Sequence, residues 1–330
     1  MKIKIIVTHN NKVYDISNLC KDDIKLDREI KNSPSKMTFT VCKNVTFETD
    51  YAFSEGDNVK FWVDDYPMFN GFIFTRKRGK EQEIEITAYD QMRYLKNKDT
   101  YIYDYTKASD ILKMIAEDYN LSIGEIEDTG FVIENLIEDN KSLFDIILDG
   151  IDITLSNAKE WFVLYDDFGK LTLKNVNSMR LPLLMVTDDG TVTDFTYTTD
   201  IDSDTYNRIK MYKDNEDTGK REIFISQDSG TQQKWGILQY YEKAPDNYND
   251  AQIGDYTDKL LVLKNRVKQS LSVECIGMGN GELDIRGGSE IFVKVDNCGE
   301  YNINNWFIVE KCTHTFSNNM HTFKIDLFDF

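Results

Sequence analysis

Proline is scarce in this chain, with 4 in 330 residues, and no long Gly/Ser or like-charge tract accompanies it. That excludes extended disordered linkers, so the domains are expected to abut directly. Histidine is scarcer still, at 3 residues. His9 sits at an N-terminal turn with no Ser or Cys in an elbow motif, so a nucleophile–base pair has no support. The five cysteines, Cys20, Cys42, Cys275, Cys298 and Cys312, are odd in number and widely spaced. With no apolar core in the opening MKIKIIVTHNNKVYDI, they fit reduced thiols made in a cytoplasm, not a disulfide framework. No apolar run approaches the ~18 residues that would span a bilayer, so membrane insertion is not expected. Positive charge is also in deficit. Lys and Arg number 39 against 57 Asp and Glu, a net charge of −18, which leaves no footprint for phosphate backbones and excludes sequence-specific nucleic-acid binding.

What the chain has in quantity is strand-forming residues and a duplication. Tyr and Phe number 18 and 19, which suits strands. Residues Gly56 to Asp90 and Gly288 to Asp329 say nearly the same thing twice. In each, a Gly opens an alternating strand, Val59-x-Phe61-x-Val63 or Ile291-x-Val293-x-Val295. That strand ends at Asp64 or Asp296. An apolar run follows, Phe72-Ile73-Phe74 or Phe307-Ile308-Val309, and then a basic residue. Each copy closes on an alternating strand ending in aromatic-Asp, Tyr89-Asp90 or Phe328-Asp329. On this alignment Trp306 or its neighbour stands where the first copy has Gly71. A duplicated β unit points to architecture before chemistry.

The predicted fold class is α+β, mostly β. Residues 1–95 read as short strands at hairpin spacing, a small sandwich or barrel. Residues 96–185 form an α+β segment. Its helices are expected from Ile111, Leu112, Ile115 and Ala116, led into by Thr106–Asp110, and from Ser142 through Leu143, Ile146, Ile147 and Ile151; a hairpin turns at Asp166–Gly169. Residues 186–270 form a second α+β segment, with a helix over Asp255–Val267 placing Leu260, Leu261, Leu263 and Val267 on its apolar side. Residues 271–330 return to strands.

Several motifs invite chemistry, and each falls short of what that chemistry requires. Asp128-Thr129-Gly130 is the aspartic-protease triplet, but one copy cannot supply two carboxylates sharing a proton, and it reads as a turn. Asp200-Ile201-Asp202-Ser203-Asp204 opens like a calcium loop, yet Thr205 and Met211 stand where Gly and a bidentate Glu belong. GMGNGELDIRGG, with Gly277, Gly279, Gly281, Gly287 and Gly288, leads into a strand and not the helix that a phosphate cradle needs. Cys312, His314 and His321 could face one another across a hairpin turning at Asn318-Asn319, a zinc-like trio or simply the polar face of a hairpin. No catalytic, cofactor or metal residue is assigned, and no enzyme is expected.

The phrases FxGFIFTRKR…IEITAYDQMRYL near one end and WFIVEKCTHTF…HTFKIDLFDF at the other, with Lys107-Ala108-Ser109-Asp110 and Asp128-Thr129-Gly130 between them, resemble the XkdQ/YqbQ-type baseplate hub proteins. These belong to contractile phage tails and tail-like particles such as R-type bacteriocins. The resemblance implies two tube-forming, barrel-like β domains at the chain ends, packed side by side and flanking two α+β domains. It implies a homotrimeric ring around an axial lumen, adapting a six-fold tail tube to a three-fold spike. The implied partners are the tail-tube protein and the trimeric spike, with tape-measure and baseplate wedge proteins beyond them. The particle would assemble from chains made in the bacterial cytoplasm, and the end at Phe330 leads to the expectation that any spike or lysozyme-like domain is on another chain. Asp57–Asp65 and Ser289–Asp296 are the expected contact regions. The alternatives are a tail-associated cell-wall hydrolase and a peripheral receptor- or carbohydrate-binding module.

Overall fold

The computed structural model of the chain describes residues 1–21, 23–30, 33–42, 54–79, 83–187, 190–215, 219–245, 248–298 and 301–328. They divide into two compact units, Met1–Phe195 with Ser272–Phe328, and Thr196–Leu271.

The first unit is built on one large sheet. Its N-terminal hairpin joins Ile3–His9 to Lys12–Asp15 across Asn10-Asn11, both at positive φ. A two-residue turn of that hand matches the right-handed twist of the strands, and Asn tolerates it well. The first copy of the repeat is a meander of Asn58–Val63, Tyr66–Arg78 and Ile84–Tyr89, with Lys36–Val41 paired outside the last strand. The second copy is Glu290–Cys298, Tyr301–Ser317 and Met320–Leu327, with Ser272–Ile276 paired outside the last. The repeat is therefore four strands, one more than the sequence phrases outline. Met37, Phe39 and Val41 in one copy correspond to Leu271, Val273 and Cys275 in the other, and all six are buried. The turn after Cys298 and the closing Asp329 lie outside the described residues.

Ile24–Glu29 joins the copies. It pairs with Lys36–Val41 of the first and with Lys311–Phe316 of the second, making the sheet continuous. Phe316 crosses that joint and packs edge-on against Phe61, ring centroids 5.2 Å apart, inside the first copy's core. The strands do not close into a barrel among the described residues; the two β units share one open sheet instead.

Between the copies lies an α+β insert. Helix Ala108–Asp118 buries Ile111, Leu112, Ile115 and Ala116, and helix Leu143–Ala158 buries Phe144, Ile146, Ile147 and Ile151 against it. Ser142 caps the second helix by accepting from the Asp145 amide at 3.1 Å, a contact of about 1 kcal/mol. The hairpin Phe162–Asp166 and Leu171–Asn175 turns where predicted, with Ile123–Ile126 added in parallel. A ribbon of Lys98–Lys107 with Val132–Ser142 was not expected.

In the second unit, Arg208–Asn215 is flanked by Lys220–Gln227 and Gln239–Lys243. Helix Asp250–Lys264 covers one face of this sheet. It starts and ends earlier than the expected Asp255–Val267. Ile253 and Thr257 are its buried residues, whereas Leu263 and Val267 are exposed and Val262 is 80% exposed. The run Leu260–Leu263 is apolar on every side, so composition alone could not phase it.

Candidate functional site

The two copies match in backbone detail. Gly56 and Gly288 both adopt φ near +90° (+89° and +92°), where a Cβ is strained. The Gly56 amide donates to Ile73 O and the Gly288 amide to Val309 O, both at 2.8 Å. In return, Ile73 N donates to Asp57 O and Val309 N to Ser289 O. One residue further on, the long strand bulges in each copy, between Ile73 and Thr75 and between Val309 and Lys311. Bulges re-aim a strand at fixed positions and are built features of a fold. This pairing makes Ile73 equivalent to Val309, one residue off the alignment of the apolar runs, so Gly71 corresponds to Phe307, the neighbour of Trp306. Gly71 is small for a local reason: a Cβ there would lie 2.3 Å from Tyr89 O.

Asp57–Asp65 and Ser289–Asp296 contain no free strand edge. Asn58–Val63 is covered by Ile3–His9, and His9 Nδ1 reaches both Asp57 carboxylate oxygens at 2.9 Å. Glu290–Cys298 is covered in parallel by Arg180–Val186, with Arg180 Nε donating to Glu290 at 2.6 Å. Both regions can meet a partner through faces and turns only.

A polar seam fastens the copies. Arg28, on the joining strand, is buried and donates to Leu283 O (2.8 Å) and to Met68 O. Burial, and then repulsion from Arg286, pulls its guanidinium down to about 10. Tyr66 hydrogen-bonds Asp284, which lies 3.5 Å from Arg286, and Arg286 stacks over Tyr165 at 4.6 Å. The segment GMGNGELDIRGG is thus the strap that carries this seam. Its glycines answer close approaches: a Cβ on Gly287 would lie 2.3 Å from Ile30 N, and one on Gly277 would enter the His321 ring.

Cys312, His314 and His321 do come together, buried, but in a line. Cys312 Sγ is 3.3 Å from His314 Nε2, and His314 Nδ1 is 3.0 Å from His321 Nε2. His314 Nε2 lies 2.8 Å from Ile285 O. A carbonyl can only accept, so Nε2 carries the proton and Nδ1 accepts from His321. Burial holds His314 well below the usual imidazole range, with Arg28 adding to it, and takes His321 down to about 4. Burial pushes the Cys312 thiol up. The two rings are spent on each other and on Ile285 O, and with the thiol they form a buried polar seam. Among the described residues no group of three or more His, Cys, Asp or Glu is arranged to hold a metal.

The other motifs are turns. Asp128 pairs with Lys107 (2.7 Å) and accepts from Gly130 N (2.8 Å), while buried Thr129 accepts from Ser109 N at 3.2 Å. The Asp-Thr-Gly triplet thereby caps a helix whose own N-cap, Lys107, offers no side-chain acceptor. Asp200 accepts from the Asp202 and Ser203 amides, and Asp204 pairs with Lys264.

One carboxyl pair went unnoticed in the sequence. Asp90 ends the first copy and accepts from Ser35 N and Met92 N at 2.8 and 3.0 Å. Asp166, at the insert's hairpin, accepts from Gly169 N at 2.6 Å and from Gln91 at 3.1 Å. Burial, then repulsion between the two, raises Asp90 well above the carboxylate range; burial raises Asp166 to about 6. A raised folded pKa means the contribution to stability is fully present below the ordinary value and is lost as pH rises through about 6. Asp166→Asn is therefore expected to gain on the order of 2 kcal/mol over wild type at pH 8, with the gap closing towards pH 4. Urea titrations at the two pH values measure it; an equal gap at both contradicts it.

Among the described residues, no helix is long and apolar enough to cross a membrane. The phage-like element PBSX protein XkdQ of Bacillus subtilis strain 168 is 29% identical over 314 residues, covering 94% of this chain and 92% of its own. In structure, the chain resembles the 43 kDa tail protein of prophage MuSo2 from Shewanella oneidensis, with a TM-score of 0.71, 10% identity and 98% of each chain covered. It also resembles the Escherichia coli c3393 protein, a type VI secretion component described as similar to the T4 tail proteins gp27 and gp5. There the TM-score is 0.51 at 12% identity, over 100% of this chain and 77% of that one. The YQBQ-like family matches residues 24–328, nearly the whole length, and this chain belongs to it.

Proposed function

We propose that this chain is a structural protein of a phage tail or tail-like particle, the axial hub of a contractile baseplate. The observation that carries this is the matched pair of four-stranded units on one sheet, bulged at equivalent positions. A six-fold tube can meet a three-fold spike only if some component shows each symmetry a matching set of surfaces. Three chains with two units apiece do so. The family supports the reading, as does XkdQ, a protein of a phage-like element.

In this reading residues 1–95 and 271–330 are the tube-like domains, and 96–185 and 186–270 are α+β domains outside them. Asp57–Asp65 and Ser289–Asp296 contact neighbouring subunits or the tail-tube protein by their faces. The trimeric spike binds below; tape-measure and wedge proteins are further neighbours. A net charge of −18 per chain keeps a lumen from adhering to DNA in transit. The role involves no turnover and no cofactor. The symmetry of the purified chain in electron micrographs tests it: rings are expected, and single compact particles with or without the spike would contradict it.

A further inference from the structure

The sheet of the second unit has one face covered by helix Asp250–Lys264 and one open. On the open face Tyr212 and Tyr241 stack at 5.1 Å, and Ile223 and Ile225 are exposed beside them. The register places Arg208, Lys210, Arg221 and Lys243 around this apolar centre, and among the described residues of these strands Asp214 is the carboxylate beside them. Arg221 already engages Asp214 at 2.9 Å. Among the described residues, neither Arg208 nor Lys210 has an ion-pair partner, and the buried Arg208 Nε has no hydrogen-bond acceptor. In a chain of net charge −18, this is a local excess of cations.

The ribbon Lys98–Lys107 with Val132–Ser142 carries the opposite pattern. Ile102 pairs directly with Ile137, and each is 71% exposed. On one side the ribbon bulges after Glu138, and the bulge holds Asp139, bonded to Thr100 at 2.7 Å; the next rung on the other side holds Asp104, opposite Asn135. Successive same-face rungs are roughly 7 Å apart, so Asp104 sits one such step from the aliphatic pair, with Asp139 in the bulge on the other side. On the open sheet face, Ile223 and Ile225 sit at that same step, with cations on the flanking positions.

We infer that these surfaces meet between copies: the ribbon of one chain lies on the open sheet face of its neighbour, isoleucines on the tyrosine–isoleucine centre and Asp104 and Asp139 against Lys210, Arg208 and Lys243. The inference rests on the ring reading. Two different, complementary surfaces on one chain give a heterologous contact, the kind that closes into rings. Exposed apolar groups rimmed by charge are what such a contact covers. A basic sheet face with stacked aromatics would also suit single-stranded nucleic acid, but a polyanion approaching this chain meets net repulsion from everything beyond the face.

The test uses the full chain, measuring the concentration at which rings form. Lys210→Glu and Ile223→Asp are each expected to raise it at least about ten-fold, the scale of losing one good interfacial contact. Adding Asp104→Lys to Lys210→Glu should restore assembly to within about three-fold, a rescue that general damage to the fold would not give. Carbodiimide cross-linking of mixed light and heavy isotope-labelled chains should join Lys210 or Lys243 of one copy to Asp104 or Asp139 of another. Rings indifferent to both substitutions overturn this inference alone. A wild-type chain that never assembles overturns the ring reading and this with it. Salt-sensitive binding of oligothymidine that Lys210→Glu abolishes assigns the face to nucleic acid and also overturns it.

Discussion

Arg28→Ala is expected to lower the stability of the first unit by on the order of 3–5 kcal/mol, enough to leave much of the chain unfolded or aggregated. Arg28 is buried, and its guanidinium is the donor to both Met68 O and Leu283 O. Truncation strands two carbonyls away from water at about 1–3 kcal/mol each, and leaves a cavity besides. Lysine cannot rescue it, because one ammonium cannot reproduce the fork that reaches two carbonyls from one position. Met68 belongs to the first copy and Leu283 to the strap of the second, so the loss falls on their junction. Urea unfolding of Arg28→Ala and Arg28→Lys beside wild type measures it. A change within about 0.5 kcal/mol, the scale of an ordinary surface substitution, would contradict the seam.

The second large effect comes from one substitution made at two glycines. Gly287→Ala places a Cβ 2.3 Å from Ile30 N and 2.6 Å from Glu29 C. Both are backbone atoms at the end of the joining strand, and Ile30 N is already committed to Glu310 O at 3.0 Å. Neither can move without breaking the sheet, so the expected loss is about 3 kcal/mol or more, the upper end for strain and overpacking. Gly254→Ala, inside helix Asp250–Lys264, meets nothing within 4 Å. It should stabilise the second unit by about 0.5–1 kcal/mol, because alanine has less backbone freedom to lose. Thermal melts of both variants read opposite signs. A destabilised Gly254→Ala, or a neutral Gly287→Ala, would refute the geometry at that site.

The duplication was legible because its signals are local: a Gly before an alternating strand, a long apolar run, a closing aromatic. Its register was not. Phe72-Ile73-Phe74 and Phe307-Ile308-Val309 align by composition, whereas the backbone aligns Ile73 with Val309 through the bulge that follows each. Helices with one apolar face, such as that of Ile111, Leu112 and Ile115, could be read directly. The helix carrying Leu260–Leu263 misled, because four consecutive apolar residues have no phase. The joining strand IKLDRE was hidden for another reason. Its pairing partners in the second copy lie up to 292 positions away, as in Phe316 against Ile24, and nothing in six residues announces them. Arg28 within it looks solvated until both carbonyl partners are in view. Lys98–Lys107 alternates polar with aromatic residues, and both of its faces carry polar groups. The chemistry-like motifs were the converse: Asp128-Thr129-Gly130 and the glycine-rich strap are conspicuous in sequence and serve as a helix cap and a close-packed connection.

The central claim is that two matched β units per chain serve to convert three-fold into six-fold symmetry. Negative-stain electron microscopy of the purified chain, classified without imposed symmetry and repeated with the spike added, tests it most directly. The account predicts rings with a central hole, three-fold overall and carrying six similar inner densities, two from each chain. Single compact particles in both preparations, or rings whose inner densities number three, would contradict it.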